Sequence, residues 1–188
     1  MQATPGWFNY APFWDDAVAT APEGATLLEV GVFCGKSLAY LARAAKASGK
    51  GLKVVGVDTF EGSPEHRDGS AGNLHELPRF ALAALCMQYL ETAGVLNDVF
   101  LIRAESVKAA ALFADASLHA VFLDADHSEE AVRADVLAWS QKVAPGGFLG
   151  GDDYHIFPGV KAAVDALVPG ATTAAGQCWW EAQRGVTG

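Results

Sequence analysis

Apolar positions along this chain fall into short β-branched runs separated by longer stretches of helical period. Thr26 to Val32 is one such run entering a glycine turn, and Ser37-Leu-Ala-Tyr-Leu-Ala-Arg-Ala-Ala follows it with the Ala and Leu content that favours helix. Lys53 to Asp58, Val99 to Ile102, Ala120 to Asp124 and Gly147 to Asp152 supply four further buried strands. Between them the pattern predicts helices over Leu74–Ala93, Ser106–Phe113, Glu129–Val143 and Val160–Leu167. In the third, Val132, Val136, Trp139 and Val143 share one face, while Glu129, Glu130, Arg133 and Gln141 can stay in water.

Alternation of strand and helix predicts a single α/β domain over residues 1–188. It is a doubly wound, mostly parallel sheet of Rossmann-like type, helices on both faces, with its ligand crevice at the carboxyl ends of the strands. Residues 1–20 read as an N-terminal helical cap. Ala171–Gly176 and Cys178–Gln183 read as an antiparallel edge hairpin around Gly176-Gln177. EGSPEHRDGSAGN, residues 61–73, has no hydrophobic period and is expected to be a mobile loop over the crevice.

Composition narrows the partners. A formal net charge of -9 disfavours nucleic acid and anionic membranes and suits a neutral or cationic small molecule. Cys34, Cys86 and Cys178 form neither a CxxC pair nor a disulfide framework, and no leader or spanning run is apparent, so a reduced, soluble, cytoplasmic chain is expected.

The chemistry gathers at strand ends. Gly31 and Gly35 flank a strand-to-helix turn where a ligand can approach backbone amides, and the GxxxG spacing departs from the GxGxxG of dinucleotide enzymes. Asp58 ends the next strand, where a carboxylate can accept both hydroxyls of a ribose; it could equally cap the turn at Thr59-Phe60. Asp124, Asp152 and Asp153 should converge at neighbouring strand ends, and clustered carboxylates are held together by a divalent cation or by protons. Hard oxygen ligands suit Mg²⁺ or another divalent ion such as Ca²⁺ or Mn²⁺. His127, three residues past Asp124, can take a proton near neutral pH, or can simply be a solvated residue opening a helix.

With LLEVGVFCGKS as first motif and VVGVDTFEG as second, the chain resembles the class I S-adenosylmethionine methyltransferases over nearly its whole length. By that resemblance Glu29, Gly31, Phe33, Gly35 and Ser37 would surround the methionine part of S-adenosylmethionine. Asp58 with Thr59 would bind the ribose, Glu105 and Ser106 would lie by the adenine, and Asp124 would face both cofactor and metal. DTFEGSPE and DADHSEEAVRADVLAW look like the metal-dependent O-methyltransferases of the macrolide-sugar branch, and more distantly the catechol and caffeoyl-coenzyme A type. In the catechol type a lysine stands at the position of His127 and Asp-Asn at Asp152-Asp153. The resemblance implies methyl transfer to a hydroxyl of a small sugar or natural product, with Asp124, Asp152 and Asp153 on the metal and His127 as base. A metal-free methyltransferase, a non-catalytic S-adenosylmethionine binder and an NAD enzyme are the competing readings. Gly6 to Trp14 is aromatic enough to line an acceptor pocket, to pack on the core or to make a homodimer contact; His66 and His75 are possible substrate contacts, and Asp126 has no assigned role.

Overall fold

The computed structural model describes residues 6–63, 81–173 and 178–182. Helix α1 (Ala11–Thr20) precedes β1 (Thr26–Val30), α2 (Lys36–Ala47) and β2 (Lys53–Asp58). Then come α3 (Leu82–Thr92), β3 (Val99–Arg103), α4 (Ser106–Ala110), β4 (Leu118–Leu123), α5 (Glu129–Ser140), β5 (Val143–Gly151) and α6 (Pro158–Leu167). Strands β6 (Thr172–Thr173) and β7 (Trp179–Ala182) complete a seven-stranded sheet of order β3-β2-β1-β4-β5-β7-β6. The first five are parallel, and β7 runs antiparallel to both β5 and β6.

Strands β1 and β4 are apolar apart from Thr26, Glu29 and His119 because helices cover both faces of the sheet. The period of two sends Leu27, Ala120 and Phe122 into a core with Phe13, Trp14, Leu38, Leu41 and Leu90 from α1, α2 and α3. Leu28, Val30, Val121 and Leu123 go the other way, onto Val132, Val136 and Trp139 of α5 and Val160 and Val164 of α6. From β1 the chain winds to β2 and β3 on one side, and later to β4 and β5 on the other. The crevice therefore opens between the carboxyl ends of β1 and β4, where ligands of such sheets bind.

The predicted helices hold with shifted ends. The helix expected to reach Val143 stops at Ser140, and Val143 instead starts β5, paired with Leu118. Pro145 and Gly146 then break the ladder, with Gly146 at φ 81°, before Phe148 pairs with Ala120. Helix α4 ends at Ala110, short of Phe113, while α6 starts two residues early on Pro158, whose fixed φ suits a first helical turn. The edge hairpin is present as β6 and β7, though its Gly176-Gln177 turn lies outside the described residues. So do residues 74–80 of the expected Leu74–Ala93 helix, all but Glu61–Ser63 of the expected loop, and both His66 and His75. Among the described residues no helix is long and apolar enough to cross a membrane.

Candidate active site

The turn after β1 is held shut by glycine. Gly31 has φ 90°, and a Cβ there would overlap the carbonyl oxygen of Asp124, so the ends of β1 and β4 can approach this closely only without a side chain. Phe33 is also left-handed, at φ 50°, and its N–H donates to Asp58 Oδ2 at 2.7 Å. The other oxygen of Asp58 accepts the N–H of Phe60 at 2.7 Å, so one carboxylate ties the glycine turn to the turn after β2. Burial raises the Asp58 carboxyl above its ordinary range, and the N–H groups of Phe33, Phe60 and Val32 pull it back. The capping role is thus realised, and three N–H groups on about four lone-pair sites leave the carboxylate room for one further donor.

A cleft of about 370 Å³ opens at this point. Gly31, Phe33, Asp58, Thr59, Glu105, Ser106 and Asp124 lie on its wall. Glu29, Gly35 and Ser37 do not. Glu29 is 1% exposed, and Ser37 is buried with its hydroxyl oxygen accepting the indole N–H of Trp14 at 3.0 Å. Glu105 turns outward into an ion pair with Lys108 at 2.7 Å.

What covers Glu29 is Tyr10, which the sequence reading left without a role. Its hydroxyl lies 3.1 Å from Glu29 Oε1 and 3.1 Å from Asp124 Oδ2, and its ring stacks on Phe122 at 4.1 Å. A phenol has one hydrogen and cannot donate to both acids at once. Burial, reinforced by Asp124, pushes the Glu29 carboxyl up to about 8 despite the opposing hydrogen bonds of Ser37 and Tyr10, so Glu29 carries a proton at neutral pH. The consistent arrangement has Glu29 donating to the Tyr10 oxygen and Tyr10 donating to Asp124. The sequence signal was faint: one phenol among the aromatic residues of Gly6–Trp14.

Beside Asp124 the acids converge, with His127 among them. One ligand atom each from Asp124, His127 and Asp153 lies within 4.8 Å of the others. His127 Nε2 is 3.0 Å from Asp153 Oδ2 and 3.8 Å from Asp124 Oδ1, and the ring stacks on Phe157 at 4.2 Å. Asp153 is itself left-handed, at φ 64°. Burial alone would lower the His127 pKa, but hydrogen bonds to Asp124 and Asp153 carry it to about 10. Asp152, expected in the same set, stands behind it, 8% exposed and with Oδ1 lacking a hydrogen-bond partner. Burial and the neighbouring charge of Asp124 push its carboxyl to about 7. A ring nitrogen of His127, rather than Asp152, lies inside the tight group with Asp124 and Asp153. Asp126 caps the next turn by accepting the N–H of Ser128 at 2.8 Å.

Residues 28–154, which hold the glycine turn, Asp58 and the acid cluster, match the family model described as a methyltransferase domain. The chain belongs to that family. It is an S-adenosylmethionine-dependent methyltransferase. Among solved structures, the O-methyltransferase NovP superposes with TM-score 0.66 at 19% identity, covering 93% of this chain and 77% of that one. The O-methyltransferase TomG from Streptomyces achromogenes, in complex with S-adenosylmethionine, gives 0.61 at 17%, covering 96% and 83%. An rRNA methylase from Streptococcus thermophilus gives 0.63 at 14%, covering 96% and 100%. At these identities the likeness is one of fold.

Proposed function

We propose that this methyltransferase acts on a hydroxyl of a small polar metabolite, a sugar or natural product, with help from a divalent cation held by Asp124 and Asp153 and supported by Asp152. The observation that carries the proposal is the convergence of Asp124, His127 and Asp153 at the edge of the nucleoside-sized cleft, with Asp124 belonging to both. The donor set fits a cation. Two carboxylates lie close together, a third behind them has an unpartnered oxygen, and a divalent ion would neutralise charge that protons otherwise must. S-adenosylmethionine supplies the methyl group from its sulfonium, and the cation supplies a lowered pKa for an acceptor hydroxyl placed against it.

The protein's own residues do the rest. Asp58 offers its remaining lone pair to the ribose, Gly31 and Phe33 bring backbone against the methionine side, and Tyr10 fixes the rotamer of Asp124. His127 takes the acceptor proton. For that it must be neutral, as it would become if Asp124 and Asp153, whose hydrogen bonds and charge keep the imidazole protonated, turned to a bound cation instead. Glu29, Gly35 and Ser37 act from beneath the wall by shaping the turn, while Thr59, Glu105 and Ser106 border the nucleoside. The net charge of -9 favours a small molecule over RNA as acceptor.

One observation favours a second reading. The His127–Asp153 contact at 3.0 Å orients the imidazole as in an imidazole–carboxylate pair, which supplies the base of a metal-free transfer once the ring gives up its proton. Methyl transfer from labelled S-adenosylmethionine to a panel of hydroxyl acceptors, with chelator and after Mg²⁺ or Mn²⁺ is restored, separates the two. Loss and recovery of turnover support the cation; full activity in chelator overturns it. Cofactor binding with no transfer to any acceptor would instead mark a non-catalytic binder.

A further inference from the structure

The sheet has two edges, and they are built differently. At one end β6 is only Thr172 and Thr173, both exposed, an edge too short and polar to template another strand. At the other, β3 runs from Val99 to Arg103, and among the described residues it pairs only with β2. Val99 to Ile102 are all apolar, with no lysine, proline or bulge to blunt the edge, and Phe100 is 64% exposed. The N–H of Ala104 donates to the Asp58 carbonyl, so by alternation Phe100 and Ile102 turn their backbone groups to β2. Those of Val99, Leu101 and Arg103 point out of the sheet.

Side chains sort by the same period. Val99 and Leu101 face α2 and α3, whereas Phe100 and Ile102 follow Val55 and Val57 to the other face, where Phe100 runs out of cover. Asp98 is held on the α2 face by Lys46 at 2.9 Å, and Arg103 shares that face by alternation. Arg103 Nε donates to the Thr59 carbonyl at 3.1 Å and Glu61 lies 3.9 Å from the guanidinium, yet the side chain stays 66% exposed. The strand therefore carries an acid at its start and a base at its end, on one face. We propose that β3 pairs antiparallel with β3 of a second copy of this chain, about a twofold axis through Leu101, so that two sheets become one. This register pairs every residue of the strand. Val99 meets the partner's Arg103 and Leu101 meets the partner's Leu101, and these are the residues whose outward N–H and C=O groups can be exchanged. On one face Phe100 lies beside the partner's Ile102, which covers the exposed ring; on the other, Arg103 comes within reach of the partner's Asp98. An edge that is its own complement in hydrogen bonds, charge and apolar surface fits a second copy, the isologous contact of a twofold dimer.

Light scattering of the full chain over a concentration series, paired with residue-resolved hydrogen exchange, tests this. The wild type should reach twice the chain mass of 19.7 kDa, with the amides of Val99, Leu101 and Arg103 protected in the dimer. The amides of Phe100 and Ile102, bonded to β2, are the internal reference. Phe100→Lys, at an exposed position, should keep the wild-type circular dichroism spectrum, open the Val99, Leu101 and Arg103 amides to exchange, and weaken association by at least about tenfold through loss of a buried phenyl group. Arg103→Asp, which sets acid against the partner's Asp98, should weaken association in the same direction, and adding Asp98→Arg should restore part of it. A wild-type chain that stays at 19.7 kDa overturns the proposal, whether its outward amides exchange freely or are covered by the chain itself. A dimer whose Val99, Leu101 and Arg103 amides are unprotected overturns it too, since the contact would lie on another surface. So does undiminished association in a folded Phe100→Lys.

Discussion

Tyr10→Phe isolates one hydroxyl. The ring contacts survive, since Phe can keep the stack on Phe122 at 4.1 Å and the edge contact with Phe8 at 5.0 Å. What is lost is the oxygen between Glu29 and Asp124, at a site 2% exposed where water has little room to replace it. The protonated Glu29 then has a buried donor without an acceptor, and Asp124 loses a donor. Leaving such groups unsatisfied costs about 1–3 kcal/mol. In a chain of this size each kcal/mol shifts the melting temperature by about 2–4 °C, so the variant should melt roughly 3–10 °C lower. The assay is thermal melting followed by circular dichroism, paired with calorimetric titration of Mn²⁺. If Tyr10 also sets the rotamer of Asp124, Mn²⁺ affinity should fall by about tenfold, which a purely structural loss would not produce. A melting temperature within 1 °C of wild type together with unchanged Mn²⁺ binding would refute the reasoning.

Other outcomes follow from the same geometry. His127→Ala should slow methyl transfer by about two to four orders of magnitude, the range for losing a general base, while S-adenosylhomocysteine affinity is kept; full activity would remove His127 from the chemistry. Gly31→Ala combines a disallowed φ of 90° with overlap on the Asp124 carbonyl, and should cost about 2–4 kcal/mol in denaturant unfolding; a loss below 1 kcal/mol would mean the turn can relax. Glu29, Asp152 and Asp135 have folded pKa values raised to about 8, 7 and 6, and His127 to about 10. Each raised group contributes stability that is fully present below its unfolded pKa and is lost as pH rises through the folded one. The melting temperature should therefore fall between pH 6 and pH 8.5, and a steady rise over that window would contradict the buried protons. Mg²⁺ or Mn²⁺ should raise the melting temperature more at pH 8 than at pH 6, because protons on the acids compete with the ion; equal shifts would argue against binding at the cluster.

The parts of this protein visible in its sequence are those written in a local period. Strands β1, β2 and β4 announce themselves because both faces are buried, β3 and β5 by their shorter apolar runs, and the β1 turn does so because Gly31 and Gly35 leave a gap in side chains that little else explains. Element ends were harder. Val143 satisfied the helical period of α5, yet pairing with Leu118 claimed it for β5, a long-range hydrogen-bond preference that no window of residues contains. The site shows the same division. Asp58 and Asp124 were legible because a strand end places them, whereas the choice between Asp152 and His127 depends on how the chain turns at Asp153, where φ 64° points adjacent acids in different directions. Tyr10 was out of reach because its partners are 19 and 114 residues away. Asp135 was within reach. It occupies the buried face of α5 between Val132 and Trp139, where the hydrophobic period calls for an apolar residue, and an acid that breaks a core stripe is itself evidence of a ligand or a partner. Reading the stripe for its exceptions as well as its members brings the Ser106–Asp135 side of the cleft into view alongside the glycine turn.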